Sequence, residues 1–210
     1  MSIKILKFIT GPLETNTYLV VKNNKALIID PSSNCEELLN NIKNNNIDVK
    51  SIILTHGHFD HILGIPEIEE SYPNIDVWVN PAEKPLISNP SYNGSNMLGL
   101  NFCYDKPTKD LMEGTQKIDE FYFDVLFMPG HSPGGIAIVF KEDSKVFCFS
   151  GDSLFAGSIG RYDFPGSDGR LLIDNIKTKL LTLPDDTIVY PGHGGRTTIA
   201  REKKMNLFLI

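Results

Sequence analysis

The chain is short of cysteine, short of positive charge and without a long apolar run, and each shortage excludes something. Its three cysteines, Cys35, Cys103 and Cys148, are widely spaced and form no CxxC pair. That excludes a disulfide framework and a thiolate metal site, and leaves them as small buried hydrophobes. Lysine and arginine total 20 against 26 acidic residues, a net charge of −6. With no basic run, the chain lacks the electrostatic footprint of a nucleic-acid binder, and no nucleic acid is expected as a partner. Lys4 and Lys7 interrupt the first apolar stretch, so neither a signal peptide's apolar core nor a membrane span of about 20 residues can be drawn there. No membrane partner is expected, and the expected location is cytoplasmic.

What remains is a balanced chain, 41% hydrophobic and 22% charged, too rich in apolar residues for disorder. Apolar runs of strand length fall at 3–9, 17–21, 26–29, 51–54, 76–79, 120–128, 135–140, 146–149 and 187–190, with turn residues between them. Helices intervene at three or four places. Ser33 and Glu36 read as a capping box for one that carries Leu38, Leu39 and Ile42 on one face. Asp168 reads as the cap of another, in which Leu172, Ile176 and Leu180 stand four residues apart. Strands covered by helices define an α/β layered fold. No repeat or linker divides the chain, so residues 1–210 are expected to form a single domain. The irregular stretch 85–107, dotted with Tyr92, Met97, Phe102 and Tyr104, reads equally as a lid over a pocket and as a surface loop. Glu67, Glu69 and Glu70 read as a solvated helix face. The apolar end Leu207-Phe208-Leu209-Ile210 reads as packing on the domain or on a second copy in a homo-oligomer.

Histidine is also scarce, with five in the chain, but all five fall in three polar breaks, each just after an expected strand. The first is Thr55-His56-Gly57-His58-Phe59-Asp60-His61. Alternation in an extended chain would project His56, His58 and Asp60 to one side, with His61 following where a helix can begin. The others are Pro129-Gly130-His131 and Tyr190-Pro191-Gly192-His193. Between them, Ser150-Gly151-Asp152 ends a strand on a carboxylate. Strand ends of a common sheet converge on one edge, so these side chains can meet. Seven groups exceed the four ligands of one tetrahedral ion and suit two ions about 3.5–4 Å apart with a bridging carboxylate, for which Asp152 is the natural candidate. An all-nitrogen-and-oxygen set admits zinc, iron or manganese.

The series HxHxDH, Gly-His, Gly-Asp, Gly-His on successive strand ends resembles the metallo-β-lactamase-fold hydrolases over essentially the whole chain. That resemblance implies an αββα four-layer sandwich with two divalent metal ions, zinc first, at one edge. It also implies a split of ligands: His56, His58 and His131 for the first ion, Asp60, His61 and His193 for the second, Asp152 between them. Asp30, ending the strand at 26–29, matches the family's early aspartate, with a supporting role. The flavo-diiron branch has glutamate where this chain has His58, and mixed-site β-lactamases have cysteine where it has Asp152; both branches are disfavoured. Gly160-Arg161-Tyr162-Asp163-Phe164-Pro165-Gly166 and the ending from Pro191 are similar to short glyoxalase II-like (hydroxyacylglutathione hydrolase-like, YcbL-type) proteins. Only 17 residues follow His193, so the C-terminal helical domain of longer glyoxalase II enzymes is expected to be absent.

The implied reaction is hydrolysis of a small (thio)ester such as an S-2-hydroxyacylglutathione by hydroxide held between two metal ions, with Asp60 and Asp152 as catalytic carboxylates. Arg161, Tyr162, Tyr190 and Arg196 are candidate substrate contacts. Arg161 and Asp163 are also candidates for a buried ion pair that holds their loop. Three other readings compete. A persulfide dioxygenase would use one iron held by His56, His131 and Asp152; a phosphodiesterase or nuclease would use both metals on a phosphoester; a binding protein would keep the fold without catalysis.

Overall fold

The computed structural model describes residues 2–210. Two six-stranded sheets take up the chain almost in order. The first runs β1 (Lys4–Thr10), β2 (Thr15–Lys22), β3 (Lys25–Ile29), β4 (Asp48–Ile53), β5 (Asp76–Val79) and β6 (Lys109–Asp110). Its first three strands are antiparallel and its last four parallel. The second sheet begins with the antiparallel strands β7 (Gly114–Ile118), β8 (Phe121–Phe127), β9 (Ile136–Glu142) and β10 (Lys145–Gly151). A separate ribbon of β11 (Leu154–Phe155) and β12 (Ser158–Ile159) follows, and β13 (Ile188–Pro191), parallel to β10, and β14 (Thr197–Thr198) complete the sheet. The helices are α1 (Glu36–Asn44), α2 (Ile65–Ser71), α3 (Lys84–Ile87), α4 (Gly169–Asn175) and α5 (Ile199–Met205).

Alternation along the strands builds the layers, because successive side chains leave a sheet on opposite faces. Tyr18, Val20, Leu27, Ile29 and Ile53 meet Ile136, Ile138, Phe140 and Phe149 between the sheets. Their neighbours Leu19, Ile28 and Ile52 point the other way, onto Leu38 and Ile42 of α1 and Ile65 and Ile68 of α2. On the far side Ala137, Val139, Cys148 and Val189 meet Leu172 of α4 and Ile199 of α5. The result is the αββα sandwich. Sheets buried on both faces explain why these strands read as near-continuous apolar runs.

All nine expected strands form. The added ones are short or polar, such as Lys109–Asp110, and have no apolar period to betray them. Asp168 caps α4, accepting from the backbone N–H groups of Arg170 and Leu171, and the stripe Leu172, Ile176, Leu180 is fully buried. The capping box at α1 does not form: Cys35 occupies the cap position and no side chain of the segment caps it. Glu67 of α2 does so from outside, accepting from Asn34 N at 2.9 Å and Cys35 N at 2.8 Å. The acidic cluster is therefore more than a solvated face, since Glu69 also accepts from Tyr104 Oη and Lys106 Nζ. Cys35 and Cys148 are buried, but Cys103 is half-exposed beside Asp105. At the C-terminus Leu209 packs under α4 and α5, whereas Leu207, Phe208 and Ile210 face outward. Among the described residues no helix is long and apolar enough to cross a membrane.

Candidate metal centre

The C-terminal ends of β3, β4, β10 and β13 converge on one edge of the sandwich, and the turn after β8 joins them. Hydrogen bonds between the two sheets lock that edge. Asn16 N donates to Gly192 O at 2.7 Å, Tyr18 Oη to Pro191 O at 2.6 Å, and Ile136 N to Thr55 O at 2.9 Å. β2 thus pins the turn that carries His193, and β9 starts against the strand that leads to His56. Gly192 must lack a side chain there, because a Cβ would collide with Asp152 Oδ1 and His61.

All seven sequence candidates meet at this edge. His56, His58 and His131 can each offer a ligand atom within 4.8 Å of one another; so can Asp60, His61 and His193, and so can His56, His61 and Asp152. Asp152 lies between the groups: Oδ1 is 3.4 Å from His61 Nε2, and Oδ2 is 3.7 Å from His131 Nε2 and 3.5 Å from His193 Nε2. The route to this geometry differs from simple alternation. Extended backbone ends at His58, and Phe59–His61 is a 3-10 turn that swings Asp60 and His61 together toward His193.

Three of the imidazoles, His56, His131 and His193, are anchored by a hydrogen bond at Nδ1, which turns Nε2 inward. A carbonyl can only accept, so His131 Nδ1–H donates to Arg161 O at 2.7 Å and His193 Nδ1–H to Leu13 O at 3.1 Å. Thr55 Oγ1 spends its proton on Asp30 Oδ2 at 2.6 Å, which makes it the acceptor for His56 Nδ1 at 3.2 Å. His61 Nδ1 stands 3.0 Å from the same Asp30 oxygen. Asp30 also accepts from Thr55 N, so one buried carboxylate supports His56 through Thr55 and stands in ion-pair range of His61 without a hydrogen bond to it. His58 differs, with its Nδ1 2.9 Å from His131 Nε2.

Charge divides the cluster. Burial, reinforced by the neighbouring imidazoles, holds His56 well below the ordinary histidine range and pushes His58 down to about 3; burial also lowers His131. For His61 burial acts in the same direction, but Asp60, Asp152 and Asp30 outweigh it and raise the pKa. His193 is likewise raised against burial, chiefly by its hydrogen bond to Asp60. Burial would raise Asp60 and Asp152, yet the imidazoles around them, His61 foremost, hold both below the usual carboxylate range.

The residues fit metal ions by their own hydrogen bonding. Buried His56 Nε2, His61 Nε2 and Asp152 Oδ1 have no hydrogen-bond partner, an arrangement that is costly unless something accepts their lone pairs. An imidazole whose outer N–H is tied to oxygen, as at His56, His131 and His193, presents the inner nitrogen that a divalent metal takes.

A cavity of about 460 Å³ opens from the cluster. Of the four candidate substrate residues only Arg161 lines it. Its pair with Asp163, expected to be buried, is exposed: the side chains keep 62% and 64% of their surface, with Nε–Oδ1 at 2.9 Å. Solvent screening leaves such an exposed pair little influence on stability; it is the carbonyl of Arg161 that supports His131. Tyr162 lies over Gly169. Tyr190 is stacked on Phe149 at 5.3 Å in the inter-sheet core. Arg196 is exposed in the turn beyond His193. The 85–107 stretch does form one wall, held by Phe59 N donating to Asn93 O and by Asn93 Nδ2 donating to Phe102 O. Sequence reasoning passed over Glu83, whose buried carboxylate accepts from Gly57 N and Gly134 N.

The sandwich and its buried His/Asp cluster define a metallo-hydrolase. Residues 10–193 match the model of the Metallo-beta-lactamase superfamily, and the chain belongs to that superfamily. It is 38% identical to "Probable metallo-hydrolase YqgX" of Bacillus subtilis over 95% of this chain and 94% of that protein. It is 37% identical to "Hydroxyacylglutathione hydrolase GloC" of Haemophilus influenzae over 88% and 87%. Similar solved structures include the BLEG-1 B3 metallo-β-lactamase (TM-score 0.91, 37% identity, 98% of this chain and 99% of that one). TTHA1623 in a di-iron-bound form is also similar (TM-score 0.86, 38% identity, 97% and 100%). So, more distantly, is ETHE1 from Myxococcus xanthus (TM-score 0.74, 25% identity, 99% and 84%).

Proposed function

We propose that the protein hydrolyses small thioesters, a class that includes the S-2-hydroxyacylglutathiones, with two divalent metal ions. His56, His58 and His131 would hold the first, Asp60, His61 and His193 the second, and Asp152 would bridge. The observation that carries this reading is the convergence of imidazole nitrogens from His56, His58, His61, His131 and His193 around the Asp60 and Asp152 carboxylates. When bound, the ions supply Lewis acidity, lowering the pKa of water from near 16 to about 7 and polarising the carbonyl. Asp60 orients the attacking water and takes up its proton. Oxygen adds to the carbonyl carbon, the C–S bond breaks, and sulfur leaves with the electron pair as thiolate. The cavity wall supports a thiolate leaving group, because its carboxyls, Asp60 and Asp152, both belong to the cluster, which leaves no separate acid to protonate an amine. Zinc is the proposed metal, with iron the competitor that the di-iron form of TTHA1623 brings forward.

Metal quantification on protein purified without added metal, paired with a substrate panel, tests this. The expected outcome is two ions per chain and turnover of S-lactoylglutathione or simpler thioesters. The likeness to a B3 metallo-β-lactamase places a β-lactam in the panel, together with a phosphodiester and glutathione persulfide. One iron per chain with oxygen uptake on the persulfide would overturn the hydrolase reading. The support from Asp30 can be read separately. Asp30→Ala is expected to weaken metal binding roughly 10- to 100-fold in competition with a chromophoric chelator, and unchanged affinity would show that Thr55 and His61 hold their orientation without it.

A further inference from the structure

The walls of the cavity carry chemistry that the cluster does not use. Beyond the metal-ligand candidates, six of its lining side chains are hydrocarbon or thioether: Leu13, Phe59, Met97, Leu98, Phe155 and Phe164. They come from five separate segments of the chain, so the apolar character is not an accident of one loop. Three stand at the rim in water, with Met97 68%, Leu98 50% and Leu13 46% exposed. An apolar rim next to a polar floor is surface that an apolar ligand arm would cover. The one lysine or arginine on the wall is Arg161, which is exposed, bidentate on Asp163 and with its guanidinium 4.4 Å from the Phe164 ring centre. No second arginine and no lysine lines the cavity, whereas glutathione carries two carboxylates.

We infer that the cavity takes a thioester whose arm is a plain hydrocarbon chain, seated between Phe59, Met97 and Leu98 on one side and Leu13, Phe155 and Phe164 on the other. This rests on the thioesterase reading for the carbonyl at the cluster, but the arm is recognised by the wall alone. Met97 is suited to it, since an unbranched thioether side chain adapts to chains of different length.

Binding of unreactive thioethers decides the matter without turnover. Metal-loaded protein would be titrated calorimetrically with S-methyl, S-butyl and S-hexyl N-acetylcysteamine and with S-methylglutathione. Each methylene removed from water is expected to tighten binding roughly fourfold, the equivalent of about 0.8 kcal/mol, so hexyl should exceed butyl by roughly 15-fold. S-Methylglutathione should bind no better than S-methyl N-acetylcysteamine. Met97→Ser and Leu98→Ser, both at exposed positions, should bring the hexyl-to-butyl ratio towards one; Leu13→Ser, on a different segment, repeats the test should either variant misfold. A flat alkyl series, or S-methylglutathione binding tenfold more tightly than its N-acetylcysteamine counterpart, would overturn the inference. Either result leaves thioester hydrolysis itself to the separate substrate panel.

Discussion

Asp152→Ala is expected to abolish metal loading at both positions and to lower kcat/KM on any substrate of the panel by at least about a thousandfold, roughly 4 kcal/mol. The expectation comes from where the carboxylate stands. Its two oxygens face His61, His131 and His193 at 3.4–3.7 Å, so it stands between the two triads. Without it two cations would face each other across a cluster balanced by Asp60 alone, with no bridge to offset their repulsion. Asp152→Asn separates charge from shape: the amide fills the same space but offers one acceptor oxygen, and should retain no more than one ion per chain. Metal analysis and single-turnover kinetics check both variants. Full activity in the alanine variant would show that the chemistry lies elsewhere.

Glu83→Ala is expected to produce the largest loss of stability, about 4 kcal/mol. Glu83 is buried, and its carboxylate spans the two turns that hold the first triad, accepting from Gly57 N between His56 and His58 and from Gly134 N just after His131. Truncation leaves two buried backbone donors unpaired at about 1–3 kcal/mol each. Burial raises the pKa of this carboxyl even though those donors pull it down. The folded state therefore holds its proton to higher pH than the unfolded chain does. The stability advantage of the native protein over Glu83→Ala should be greatest at low pH, and should shrink as pH rises from the ordinary glutamate value through the raised one. Chemical denaturation of metal-free protein across that range reads the sign directly. A difference that grows with pH would show that the ionised form is the favoured one.

The two residues differ in how far they could be read from the chain. Asp152 announces itself, because it ends an apolar strand on a glycine-aspartate step, and the local period that buries Phe147 and Phe149 brings that step to the sheet edge. Glu83 has no such signal. Its partners lie 26 and 51 residues away, and a glutamate in a Pro-Ala-Glu turn looks like any solvated acid. Glu67 is the same case on a smaller scale, capping α1 from α2 in place of the local Ser33–Glu36 pair. Tyr190 shows the converse error: nearness in sequence to His193 suggested substrate contact, yet strand alternation turns its ring into the core.

By itself the sequence determined the layers and the cluster. Near-continuous apolar runs of strand length specify strands buried on both faces, the Leu172–Ile176–Leu180 stripe specifies an outer helix, and histidines confined to strand ends must meet where strand ends meet. Tertiary structure alone decided which nitrogen each imidazole presents, because that is set by oxygens on other elements: Asp30 through Thr55, the carbonyl of Arg161, the carbonyl of Leu13. It also decided the character of the cavity. Leu13, Phe59, Met97 and Phe164 are unremarkable apart in the chain, and they become a wall only when four loops close over one sheet edge.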